Sequence, residues 1–249
     1  MHSSKYLAFL LLLAAAVVLA ACSGGGSSQE VSCVALSSFR SYRFEAVGIS
    51  EVKESPEPSP IVAAPFPPFR LVVEVEGETQ GADTIDALVR QGDGEGFQER
   101  RTIVIGQKIW TLLGDRWLEN ERTTSQLPIP YVPVDTCRAI APDLKLADLP
   151  STAEDVNGVA SLHYQLELPN MFFARHPNFG PSGDTARLIE SVAVDVWIAE
   201  GANYPVKVGV VGTGSYPGGS ELRAEVGYEI SDISSSDIEI SPPVEPGGN

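Results

Sequence analysis

From about residue 40 onward, apolar and polar residues alternate with a period of two. Leu222, Ala224, Val226, Tyr228 and Ile230 alternate with Glu221, Arg223, Glu225, Gly227 and Glu229. Ala160, Leu162, Tyr164, Leu166 and Leu168 alternate with Ser161, His163, Gln165 and Glu167. The same pattern places Val192, Val194, Val196 and Ile198 on one strand, Val206, Val208 and Val210 on another, and Leu71, Val73 and Val75 on a third. Weaker alternation predicts strands at Tyr42–Ser50, Thr84–Gln91, Phe97–Gly106, Lys108–Leu112 and Trp117–Asn120. Turn residues separate these runs: Gly92–Gly96, Gly106-Gln107, Gly114-Asp115, Gly201–Asn203 and Tyr216–Gly219. Short loops between successive strands make neighbours antiparallel. The pattern predicts a meander of roughly ten strands with one buried face.

Helical signals are few. Glu30–Arg40 is expected to hold a short helix. A second is expected around Cys137, Ile140, Ala141 and Leu144, with Asp135 as its cap and Pro142 ending it. A third short piece is expected from Asp184 through Leu188. Ser55–Pro68 carries six prolines and reads as a long loop between two strands. The Pro/Gly-rich tail from Ser241 is expected to be disordered.

The first residues follow a different logic. Lys5 gives a positive start, and an uncharged apolar run follows from Tyr6 to Leu19, of signal-peptide length and too short to span a bilayer comfortably. Leu19-Ala20-Ala21-Cys22 resembles the bacterial lipobox, in which small residues precede a cysteine. That resemblance implies a signal peptide at residues 1–21, cleavage, and a diacylglyceryl group on Cys22. The alternative is an ordinary signal peptide whose cleavage site happens to precede a cysteine. Ser23 to Ser28 is Gly/Ser only, a flexible tether. Residues 22–35 are accordingly assigned to tether and first helix, 36–242 to the folded domain and 243–249 to the tail. The expected location is extracytoplasmic, lipid-anchored to the cell membrane, or to the outer membrane if two membranes are present.

The chain of 249 residues has a net charge of −16. Cleavage removes one positive charge, Lys5, so the mature chain is more acidic still. Phosphate backbones repel such a surface, which argues against a nucleic-acid partner. With Cys22 taken by lipid, Cys33 and Cys137 remain as an even pair, expected to form a disulfide in an oxidising compartment; the alternative is two buried thiols.

Several segments together carry a family resemblance: Ser41-Tyr42-Arg43-Phe44-Glu45; Ile103–Trp110 followed by Gly114-Asp115-Arg116-Trp117; Glu154–Val159 leading to His163-Tyr164; and Val194–Ile198 before Tyr204-Pro205-Val206-Lys207. In this order they resemble the LolA-like lipoproteins, especially those of the LppX/LprG type, over roughly Leu36 to Pro242. The Pro-rich insert and the cysteine pair depart from that pattern. The resemblance implies an α+β, mainly β fold: one curved antiparallel sheet, a half-open barrel, with short helices covering its concave side. It implies that the hollow is apolar and receives lipid or acyl chains, from a lipoprotein or from a glycolipid. The lining would come from Leu71, Val73, Val75, Leu162, Tyr164, Leu166, Val194, Val196, Val208, Leu222, Val226 and Tyr228. A lid would come from Gln126–Pro150 and Asn170–Ser191. Met171-Phe172-Phe173 reads as a lid tip or membrane contact, or as a loop tucked onto the core. A monomer is expected.

Catalytic patterns are sparse. His163 sits on the polar phase of a strand and His176 precedes Pro177 in a loop. No His-x-x-x-His spacing occurs, and two cysteines so far apart do not suggest zinc. Asp93 and Glu95 only faintly suggest a calcium loop, and Gly212-Thr213-Gly214 lacks the rest of a nucleotide motif. Trp110, Trp117 and Trp197 read as core or half-exposed strand positions, with a cavity lip or membrane anchor as the other reading. No metal or cofactor is expected. The leading expectation is therefore a non-catalytic lipid carrier. The second is a scaffolding lipoprotein with a filled barrel, and the third an enzyme with an unrecognised site.

Overall fold

The structure, a computed structural model, describes residues 31–54, 68–124, 127–181, 183–216 and 219–243. The expected signal peptide, Cys22 and the expected tether, most of the Pro-rich insert, Gln126 and the last six residues lie outside the described residues.

Helix α1 (Cys33–Ser38) leads into β1 (Ser41–Lys53), β2 (Phe69–Gln80), β3 (Thr84–Gly92), β4 (Phe97–Ile105), β5 (Lys108–Leu113) and β6 (Arg116–Glu121). Helix α2 (Pro133–Ile140) and a 3-10 turn (Ala141–Asp143) follow, then β7 (Ser151–Val156) and β8 (Val159–Leu168). Helix α3 (Phe172–Arg175) and two 3-10 turns (Pro177–Phe179 and Thr185–Leu188) precede β9 (Ile189–Ala199), β10 (Pro205–Ser215) and β11 (Glu221–Ser231). All strands join one antiparallel sheet in the order β6-β5-β4-β3-β2-β1-β11-β10-β9-β8-β7. Two meanders, β1–β6 and β7–β11, meet at β1 and β11, and β6 and β7 remain as free edges. The fold is thus the antiparallel meander that the alternation implied, with eleven strands and not ten, in the unclosed form with short helices that the family resemblance implied.

The alternation sets the two faces. Along β1, Tyr42, Phe44, Ala46 and Val52 are buried, while Arg43 and Glu45 are exposed. A single apolar cluster gathers the inner phases of both meanders, from Ile85 and Val104 on one side to Tyr164 and Leu168 on the other. The sheet bends strongly enough that Asn157, in the β7–β8 turn, donates to Glu229 and to the carbonyl of Ile230 on β11.

Strand β7 does not emerge from the apolar pattern. Its residues Ser151–Asp155 are all exposed, so it has no buried phase to detect. Edge β6 is similarly exposed and charged, as an unpaired edge must be to discourage pairing with other chains. Asp135 lies in the first turn of α2 and not at its cap; Val132 takes the cap position and Pro133 opens the helix. Pro142 falls in the 3-10 turn where α2 ends, as its missing N–H requires. Residues 241–243 extend the described chain along the outer face. The Ile240 N–H donates to Gln80, Ile238 is buried, and Pro242 and Pro243 share a cleft with Trp110.

The folded part begins early: Val31 already joins the core, and the Ser32 N–H donates to the carbonyl of Asn203. Cys33 and Cys137 are joined in a disulfide with a Cα–Cα distance of 5.7 Å. The bridge ties α1, which follows the tether, to α2. It closes a loop spanning 104 positions, for which chain entropy alone gives about 4–5 kcal/mol. A Cys33→Ser/Cys137→Ser double variant is expected to lose about 2–5 kcal/mol of stability in urea unfolding. Unchanged stability would mean that packing alone holds the two helices together.

Candidate functional site

The inner face of the sheet is built from aligned rows. Tyr164, Val196, Val208, Tyr228, Ala46, Val75, Val89 and Arg100 are successive cross-strand partners from β8 to β4. The next row runs Leu166, Val194, Val210, Val226, Gly48, Val73. Of the twelve lining residues expected from the sequence, Val73, Val75, Tyr164, Val194, Val196, Val208, Leu222, Val226 and Tyr228 are buried in the one cluster. Leu162 and Leu166, near the β7 edge, are half-buried and pack against it. Leu71 stands apart: it lies at the β2 rim, 38% exposed and outside the cluster.

Side chains from the covering segments fill this wall. Leu36, Ile140, Phe172 and Phe173 are at most 1% exposed. Phe172 and Phe173 therefore tuck onto the core, and only Met171 of that tripeptide remains outside, which removes the lid-tip reading for the two phenylalanines. Two of the covering rings enter recesses made by glycines on the apolar phase of strands. A Cβ at Gly48 would overlap the Tyr131 ring, and a Cβ at Gly212 or at Gly180 would collide with Phe173. Tyr131 reaches its recess from a left-handed backbone (φ 56°), which is unfavourable for a bulky residue. Neither recess was recognised from the sequence. The available signal was a glycine on the buried phase of a strand, which marks close approach of another group.

Four buried hydroxyls lack a hydrogen-bond partner among the described residues, those of Thr79, Thr136, Ser220 and Tyr228. Thr136 lies on α2 and Tyr228 on β11. Burial drives the Tyr228 phenol well above its ordinary pKa, so it stays neutral. Leaving such a group unpaired costs about 1–3 kcal/mol.

Where the cover meets β4, a cleft of about 660 Å³ opens. Leu127, Ile129, Tyr131 and Phe179 supply its apolar lining, and Arg100, Asp135 and Arg138 its charges. Burial raises the Asp135 carboxyl above its ordinary pKa, against the opposing pull of Arg138 and Arg122.

The outer face is polar. Its cleft of about 790 Å³ is lined by Arg43, Glu45, Glu76, Glu78, Asp86, Glu99 and Arg101 among others. Arg43 pairs with Glu78 and Asp232, Arg90 with Glu76 and Glu99, and Arg101 with Asp86. His163 lies on this face, between Glu154 (3.1 Å) and Asp195 (2.8 Å), stacked on Trp197 at 4.1 Å. Lys207 covers the Trp197 ring, and the indole N–H donates to Glu154. Both imidazole nitrogens lie within hydrogen-bond distance of a carboxylate. Trp110 is buried on this face too, its N–H donating to Glu119; Trp117 is half-buried. In the glycine loop, Asp93 accepts from the N–H groups of Glu95 and Gly96, which lowers its pKa. Among the described residues no group of three His, Cys, Asp or Glu is placed to hold a metal ion, and no helix is long and apolar enough to cross a membrane.

No family model matches the chain, and no curated protein matches it. Among solved structures the chain is similar to LprF from Mycobacterium bovis, at 12% identity and a TM-score of 0.44 over 88% of this chain and 94% of that one. It is also similar to a LolA superfamily protein from Nitrosomonas europaea, at 12% identity and a TM-score of 0.28 over 85% of this chain and 91% of that one. At this identity no residue of either is transferred to this chain.

His176 sits inside the cover, its ring 4.9 Å from Phe172 and 6.0 Å from Phe179. Burial holds its pKa below the ordinary 6.5, and Arg175 lowers it further against the pull of Asp143. The unfolded chain therefore binds this proton more readily. The stabilisation is present in full above about pH 6.5 and declines as pH falls through the folded value. The melting temperature of the wild type is expected to fall more between pH 7.5 and 5 than that of a His176→Asn variant. Parallel slopes would remove His176 from the account.

Proposed function

We propose that the protein is a lipid-anchored, extracytoplasmic, non-catalytic carrier that holds acyl chains of a lipid or lipidated molecule against the inner wall of its sheet. The observation that carries this reading is the origin of the groups that fill the wall's recesses. Tyr131 and Phe173 come from loops and short turns, not from the sheet, and each rests in a glycine-lined recess. Movement of these segments exchanges side-chain rings for ligand without unpairing a strand.

The magnitudes allow the exchange. Removing a buried aromatic side chain costs about 3–5 kcal/mol. A buried methylene contributes about 0.8 kcal/mol, so roughly four to six methylenes offset one displaced ring. An acyl chain of ordinary membrane length covers both recesses on that scale. The unpartnered hydroxyls of Thr136 and Tyr228 support the reading further, since a core selected only for packing seldom retains them.

The burial values favour a second reading. Val196, Val210, Ala224, Val226 and Ile230 are fully buried with the cover in place, as in a filled barrel serving as a scaffold. The two readings separate on lipid content. The mature chain, extracted with mild detergent from a lipid-containing host, is expected to carry acyl lipid in native mass spectrometry. Phe173→Ala is expected to raise the loaded fraction, and Cys22→Ala to move the protein from the detergent phase to the aqueous phase. A chain free of lipid in both wild type and Phe173→Ala is the scaffold. Retention of Cys22→Ala in the detergent phase would refute the anchor.

A further inference from the structure

The valine row of the inner wall ends on a charge. Val89 on β3 is paired with Arg100 on β4, which occupies the strand phase of buried Thr102 and Val104. Arg100 forms no ion pair or hydrogen bond among the described residues, whereas its neighbours on the outer phase do: Glu99 with Arg90 and Arg101 with Asp86. Acidic partners are abundant in this chain, 33 Asp and Glu against 17 Lys and Arg. Arg116 on β6 shares this phase and is also without an ion pair among the described residues, so what sets Arg100 apart has to be found in its surroundings.

Its surroundings supply the explanation. Arg100 lines the 660 Å³ cleft together with Leu127, Ile129, Tyr131 and Phe179, and Arg138 enters the same cleft from α2. The single acid there, Asp135, pairs with Arg138 only loosely, at 3.4 Å. The cleft thus combines apolar side chains, one of which, Tyr131, also packs on the wall at Gly48, with two guanidinium groups against one carboxylate.

We infer that this cleft seats the phosphate of an anionic phospholipid, with Arg100 as the principal contact and Arg138 as the second, while the acyl chains pass beneath Tyr131. The inference rests on the carrier reading above and names its ligand class. Guanidinium is suited to this task because its donors match phosphate oxygens in pairs. The overall acidity of the protein does not forbid the contact, because charges farther than about 10 Å are largely screened at 0.1 M salt.

The test uses the mature Cys22→Ala chain, delipidated and offered equimolar phosphatidylglycerol, phosphatidylcholine and diacylglycerol of identical acyl composition, with bound species counted by native mass spectrometry. Phosphatidylglycerol is expected to be favoured over diacylglycerol by about tenfold, the effect of roughly one charge-assisted contact. Arg100→Gln is expected to abolish that preference while leaving the melting temperature unchanged, because the Arg100 side chain is exposed and makes no ion pair among the described residues. Arg100→Lys is expected to restore part of it. Equal binding of all three lipids to the wild type, or an undiminished preference in Arg100→Gln, would overturn the headgroup inference and leave the carrier reading standing. Displacement of phosphatidylglycerol by millimolar inorganic phosphate would overturn it too, by making the site one for free anion. Failure of every lipid to bind would overturn the carrier reading itself.

Discussion

An open antiparallel sheet with one apolar face must find something to put against that face. Eleven strands are here joined in one sheet that does not close, because β6 and β7 do not pair. Closure would have sealed the apolar side chains against each other. Without it, burial of the inner valines depends on segments outside the sheet: two short helices, a one-turn helix and three 3-10 turns. Everything proposed for this protein follows from that dependence. A wall that its own strands cannot bury is either covered by other parts of the chain or occupied by a ligand, and the cover is made of the elements with the least regular hydrogen bonding.

The cover is secured unevenly. Helices α1 and α2 are stapled through Cys33 and Cys137, and α1 joins directly to β1. Tyr131 lies just before the stapled α2, whereas the segment carrying Phe173 between β8 and β9 has no disulfide. Their hold is the fit of rings into glycine recesses, a contact that an acyl chain can reproduce. The outer face has the opposite character: a lattice of Arg–Glu and Arg–Asp pairs, each partly exposed and worth little singly, that keeps this side in water. Apolar inside and charged outside, the sheet places the ligand-binding possibilities on one face.

Period-two alternation made the strands legible in the sequence, since Leu222–Ile230 or Val192–Ile198 can bury only one phase. β7 was invisible because an exposed, charged edge has no buried phase, and the cover was poorly visible because turns of three or four residues have no period to detect. The cysteine pair was legible from parity and compartment. Nine of the twelve lining residues fall inside the buried wall for the same periodic reason, and Leu71 does not because the β2–β3 pairing stops at Val72, leaving it at the rim. Gly48, Gly212 and Arg100 were overlooked. Each breaks the apolar phase of its strand, and such breaks mark the places where another group approaches.

The most direct measurement is hydrogen–deuterium exchange of the delipidated mature chain with and without acyl-lipid vesicles. Lipid is expected to change exchange in residues 127–140 and 170–181, whose rings leave their recesses, while the amides of β1, β10 and β11 keep their protection. Identical exchange in both segments with lipid bound to the protein would place the lipid elsewhere and contradict the displacement of the cover.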